Sequence, residues 1–168
     1  MRLISMRRWK KLLFWGTALL SLGADQLTKF WVTQNFVLSK PPETWPIIRG
    51  VFHFTYVTNK GAAFSLLQNN AWLPWLSLIV CIGLVCLGLF GTRLTRWEQA
   101  GYGFLLGGAA GNGIDRIFLG EVIDFLDFRL IQFPVFNIAD ISINIGLICL
   151  LLATWKSSRK SSHKSSSR

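Results

Sequence analysis

Four apolar stretches, each near the length a helix needs to cross a bilayer, fill most of this chain and decide what it can fold into. They run over about 12–32, 72–91, 100–119 and 138–155, and a bilayer core takes roughly 20 residues of helix. The third is rich in Gly and Ala. Trp9, Trp31, Trp72, Trp75, Trp97 and Trp155 fall at or near their ends, as an interfacial aromatic belt requires. Only 15% of the residues are charged, well below the roughly 25% of soluble domains. The expected fold is an all-α membrane protein. It has four transmembrane helices in one domain over residues 1–155, and a basic tail over 156–168.

The net charge of +10 is placed more tellingly than it is large. Twelve Lys and Arg lie in the two tails and in the link carrying Arg93 and Arg96, and six lie on the opposite side. The positive-inside rule therefore puts both termini in the cytoplasm, and an even number of spans agrees. Basic ends that flank membrane spans orient a protein and touch anionic headgroups, so nucleic-acid binding is not expected. The first stretch has the basic start and small residues of a cleaved signal peptide. Its apolar character resumes past Asp25, however, and it is too long for a signal core. The Ser- and Lys-rich tail, which includes His163, reads as disordered.

With that topology, acids and amides gather at one side of the bilayer. Asp25 ends the first span, Asn112, Asp115 and Arg116 end the third, and Asn137 and Asp140 open the fourth. Asn59 and Asp124 lie in the outer loops, and of eight acids only Glu98 is cytoplasmic. Ionisable groups within spans are expensive and mark function by default. The long outer segment 33–71 contains Phe52-His53-Phe54-Thr55-Tyr56, a period-two strand signal. A small extracytoplasmic sheet on the membrane surface is expected there.

Two carboxylates held together in a partly dry site cannot both ionise, so the pair offers an acid and a base at once. Asp124 and Asp140 are the candidates; the plainer alternative is a loop acid and an acid at a helix start. Asn137 precedes Asp140 by three residues and either caps the helix or orients a carboxylate. Arg116 could neutralise Asp115. Asp25 and Lys29, spaced i, i+4, could form a simple ion pair. Gly61, after Asn59, permits a turn or a close approach to a substrate chain. No Gly-x-Ser-x-Gly is present, and His53 is the only histidine outside the tail, so neither a serine nucleophile nor a zinc site is expected. Cys81, Cys86 and Cys149 show no disulfide or metal spacing. A coupled transporter would show repeats and acids spread through the depth. A scaffold would tolerate loss of its acids.

Five motifs occur in order: Asp25-Gln26-x-x-Lys29, Asn59-x-Gly61-Ala62-Ala63-Phe64, Gly107-Gly108-x-x-Gly111-Asn112-x-x-Asp115-Arg116, Val122-x-Asp124-Phe125 and Phe136-Asn137-x-Ala139-Asp140. Together they resemble the lipoprotein signal peptidases of bacteria, over roughly residues 12–155. The resemblance implies an intramembrane aspartyl endopeptidase of the inner membrane whose catalytic pair matches Asp124 and Asp140, near the outer leaflet. It implies that Asp25, Asn59, Asn112, Arg116 and Asn137 support or line the site. The implied substrates are prolipoproteins with a diacylglyceryl-modified cysteine, cut just before that cysteine, and the implied inhibitor is globomycin. No cofactor or metal is implied. Membrane lipids are the expected surroundings, and a monomer suffices.

Overall fold

The computed structural model describes residues 11–61, 72–91, 93–131 and 133–165. In chain order the elements are α1 (Leu12–Asn35), β1 (Thr44–Ile48), β2 (Phe52–Asn59), α2 (Leu73–Phe90), α3 (Arg96–Phe118), β3 (Val122–Phe128) and α4 (Ile138–Ser165). Trp9 and the basic residues before Lys11 lie outside the described residues. So do Ala62, Ala63 and Phe64.

α1 buries one stripe, Phe14, Ala18, Ser21, Asp25, Lys29 and Val32. The spacing of three and four residues is a single helix face. The middle of that stripe is polar, whereas Leu19, Leu20, Leu27 and Phe30 on the outside are exposed. This is the reverse of a helix in water, and it suits a helix whose surroundings are as apolar as its own side chains. Among the described residues two helices are long and apolar enough by composition to cross a membrane, Leu73–Phe90 and Ile138–Arg159. Of the four stretches expected to span, those of α1 and α3 do not reach that mark. They carry Asp25, Gln26 and Lys29 on one and Asn112, Asp115 and Arg116 on the other.

α3 is the hub, packed against α1, α4 and α2, while α2 and α4 make no extended contact with each other. Thr95 and Glu98 start α3 with a capping box, the Thr95 side chain accepting from Glu98 N and Glu98 Oε2 accepting from Thr95 N. Neighbouring glycines let it serve two partners at once. A side chain at Gly107 would run into Ser21 and the Ala18 carbonyl of α1, and one at Gly108 into Ile143 and the Ala139 carbonyl of α4. Close backbone approach through small residues is how helices associate when hydrocarbon surrounds them.

The sheet is antiparallel in the order β1-β2-β3. The expected strand is present as β2, and β1 and β3 flank it. Asp124, expected in a loop, therefore lies on a strand, opposite Val57. Phe52, Phe54 and Phe125 join Val32 of α1 in one apolar cluster. The alternate residues of β2 are not solvated: His53 and Thr55 are buried. Thr55 Oγ1 donates to Asp127 at 2.7 Å, and Thr44 Oγ1 lies 2.8 Å from His53 Nδ1.

The tail differs from its expected disorder, because α4 continues as helix through Ser165. No Gly or Pro follows Trp155, and Lys and Arg are good helix formers. Lys156 Nζ lies 4.5 Å from the Trp97 ring centroid, and the Arg159 guanidinium 4.2 Å from that of Trp155. The Lys156 contact ties the first turn of the extension to α3, and the Arg159 contact lies within α4 itself.

Candidate active site

A short bridge between Leu126 and Phe136 brings the two halves of the site together. Phe125 N and Leu126 N both donate to Phe136 O, and Phe136 N donates to Leu126 O. The chain entering α4 thus lies along β3, and Asn137, next in sequence, reaches Asp124. Asn137 Nδ2 donates to Asp124 Oδ1 at 2.7 Å. The same residue starts α4: its Oδ1 accepts from Asp140 N at 3.0 Å, and its N donates to Asp140 Oδ2 at 3.1 Å. Of the two roles open to Asn137, cap and carboxylate partner, the structure gives it both.

Asn112 meets the dyad from α3. Its Oδ1 accepts from Lys29 Nζ at 3.0 Å and from Asn137 Nδ2 at 2.9 Å. That leaves Nδ2 to donate to Asp140 Oδ1 at 3.0 Å. Asn59, at the end of β2, donates from Nδ2 to Asp124 Oδ2 at 3.3 Å and accepts from Gly61 N at 2.9 Å. All four carboxylate oxygens of Asp124 and Asp140 are therefore held by amides.

Behind this layer Lys29 bridges two buried acids, Asp25 and Asp115, each at 2.8 Å. The expected i, i+4 pair is thus one arm of a triad. Arg116 does not neutralise Asp115. Adjacent residues on a helix point about 100° apart, so Arg116 turns toward the outer segment and donates to Gly61 O at 3.3 Å. Asp115 Oδ2 also accepts from Ile123 N at 3.2 Å, and Asp25 Oδ1 from Ala139 N at 2.8 Å. Each acid of the triad so fixes the residue next to a dyad aspartate. Gln26 joins the triad, donating to Asp25 Oδ2, Asp115 Oδ1 and Gly111 O. Sequence reasoning quoted it in a motif without giving it a role, although its spacing from Lys29 was visible.

Burial, and then the neighbouring Asp140 carboxylate, push the Asp124 carboxyl from its ordinary value up to about 7. The amide bonds from Asn59 and Asn137 and the charge of Lys29 pull the other way and lose. Asp124 therefore keeps its proton to a much higher pH than an ordinary carboxyl does.

The dyad opens into a cavity of about 1600 Å³ that Asn59, Asn112 and Arg116 also line. From Asp124 and Asp140 it runs between α2 and α4 along Leu76, Val80, Ile145 and Ile148. Two polar residues on these walls, Ser77 and Asn144, were passed over in the sequence because Ser77 sits alone in an apolar run and Asn144 lies outside the five motifs. Among the described residues no three His, Cys, Asp or Glu are grouped to hold a metal ion.

The fold matches that of a bacterial membrane enzyme solved at 2.3 Å by the in meso method. The TM-score is 0.76 and the identity 30%, over 84% of this chain and 87% of that one. The protein is accordingly of a membrane-enzyme class. The sequence model described as signal peptidase (SPase) II matches residues 17–156. The lipoprotein signal peptidase of Acaryochloris marina is 78% identical over 94% of this chain and 97% of its own length. That of Cyanothece sp. (strain PCC 7425) is 65% identical over 88% and 86%. The chain belongs to the signal peptidase II family.

Proposed function

We propose that this protein is an aspartic endopeptidase that removes signal peptides from prolipoproteins, cutting on the N-terminal side of a diacylglyceryl-modified cysteine. The observation that carries the reading is the convergence of Asp124 and Asp140 on Asn137 in a cavity that continues between α2 and α4 along apolar side chains. In this reading all four helices span the inner membrane, with both termini cytoplasmic and the dyad near the outer leaflet. The apolar exterior of α1 and the charged residues at the ends supports it. The gap between α2 and α4 admits the substrate sideways from the lipid, with its apolar segment along the walls and the scissile bond at the dyad.

Asp124 starts protonated and hydrogen-bonds the scissile carbonyl oxygen. Asp140 takes a proton from water, whose oxygen attacks the carbonyl carbon. The tetrahedral intermediate collapses as the proton on Asp140 passes to the leaving nitrogen. Asn112 and Asn137 orient the carboxylates, and Lys29 with Asp25 and Asp115 holds those amides in place. The residues that perform hydrolysis are all in the chain, and lipid and substrate are the only partners the reading needs.

Incubating the purified protein with a diacylglyceryl-modified prolipoprotein and following the gel shift tests this. Wild type is expected to cleave and Asp124→Asn and Asp140→Asn to fail. Intact substrate after incubation with folded wild type would reject the reading.

A further inference from the structure

The α2 and α4 walls of the cavity carry two polar groups that the chemistry above does not use, Asn144 and Ser77. Asn144 lies one helical turn past Asp140 on α4, about 6 Å deeper along the helix. It lines the cavity and is exposed there. Its one hydrogen bond among the described residues runs from Nδ2 to Asp140 O at 2.9 Å. A primary amide has a second hydrogen and an acceptor oxygen, and these are unspent in a stretch that is otherwise Ile141, Ile143, Ile145 and Ile148. Ser77 lines the same cavity from α2. The hydroxyls of Thr17, Ser21, Thr28, Ser142 and Thr154 all donate back to their own helices. Ser77 makes no hydrogen bond among the described residues. Polar groups with unmet hydrogen-bonding capacity in an apolar surrounding are costly unless a ligand meets them.

We infer that Asn144, with Ser77 on the facing wall, binds an ester carbonyl of the substrate's diacylglyceryl group. The inference rests on the proposed function, which puts the modified cysteine at the dyad. From there the thioether and glycerol carbons carry the ester carbonyls a distance comparable with one helical turn, toward the apolar walls that take the acyl chains. An ester offers only acceptor oxygens, which suits an amide N–H and a hydroxyl. Asn144 is in this sense a specificity residue, one turn removed from the reacting atoms.

Two prolipoprotein substrates test this, one with ester-linked chains and one with ether-linked chains that lack the carbonyls. The assay uses the full-length protein in an ester-free detergent, so that the substrate is the only source of ester carbonyls. Wild type is expected to show a KM about five-fold lower for the ester than for the ether, with similar kcat, since one net hydrogen bond is at stake. Asn144→Leu should raise the ester KM about five-fold and leave the ether KM unchanged. Asn144→Gln, which keeps a primary amide with two donor hydrogens, should retain the preference. Equal KM values in wild type, or the same ester preference in Asn144→Leu, would overturn the inference. So would an equal loss on both substrates, which marks a structural role. Failure of wild type to cleave either substrate would instead strike the proposed function itself.

Discussion

Asn137 and Asp140 hold each other through two reciprocal hydrogen bonds, Asp140 N to Asn137 Oδ1 at 3.0 Å and Asn137 N to Asp140 Oδ2 at 3.1 Å. This is the geometry of a capping box, with an aspartate of the proposed dyad as its inner member. The remaining group of Asn137, its Nδ2, reaches Asp124. Helix initiation and dyad alignment are thus one structural event. Asn137→Ala should lower stability by about 1 kcal/mol through loss of the cap. It should also lower kcat by about 100-fold or more through loss of an aimed donor. Thermal unfolding in detergent and turnover of a lipid-modified substrate read the two effects separately. A variant with near-normal kcat would show that Asn137 only caps.

Replacing either member of a pair that works as a unit should remove nearly all its contribution. Asp124→Asn and Asp140→Asn are each expected to lose about 1,000-fold or more in kcat, and the double variant little beyond that. Both should fold, since Asn keeps the size of the side chain and adds no charge to the site. Multiplicative losses in the double variant would argue that the two act independently.

The proton on Asp124 sets a pH signature. Its folded-state value, about 7, stands above the ordinary carboxyl value of 3.8. Its contribution to stability is therefore fully present below the unfolded value and is lost as pH rises through 7. Activity that needs the protonated form should likewise fall on the alkaline side with a midpoint near 7. The Asn59 hydrogen bond favours the ionised form, so Asn59→Ala should move that limb to higher pH while lowering kcat. A rate profile that is flat from pH 6 to 9 (a window of about one unit below and two above the midpoint) would contradict this assignment.

Lys29 is the sole cation touching both Asp25 and Asp115 among the described residues. Lys29→Met would leave two buried carboxylates facing each other, at a cost of about 3–5 kcal/mol. A large drop in melting temperature is expected, with partial recovery when Asp115→Asn is added. An unchanged melting temperature would show that the triad contributes little.

The chain's own pattern was enough for the helices and the strand β2, and it singled out the candidate residues that the structure brings together. Apolar runs of bilayer length and the alternation around Phe54 are local signals with fixed periods. Acids within apolar runs also stand out in any single sequence, because burying a charge is costly. The ends of the elements were less legible. The basic tail reads as disordered by composition, whereas α4 continues as helix through Ser165, with Lys156 over Trp97 of α3 at the start of the extension.

Tertiary structure decided which of these residues meet. Sequence spacing pairs Asp115 with Arg116 as neighbours, yet a helix turns them apart, and Lys29, 86 positions before Asp115 in the chain, neutralises it instead. Asp124 could be read as a loop acid until β3 paired with β2 and the Leu126–Phe136 bridge laid Asn137 beside it. The gap between α2 and α4, and with it the exposure of Ser77 and Asn144 to a cavity, depends on how three helices share α3. Residue types, periods and the cost of charge in hydrocarbon are local properties that a sequence states directly. Pairings across long stretches of chain depend on backbone geometry, and only the folded molecule fixes that.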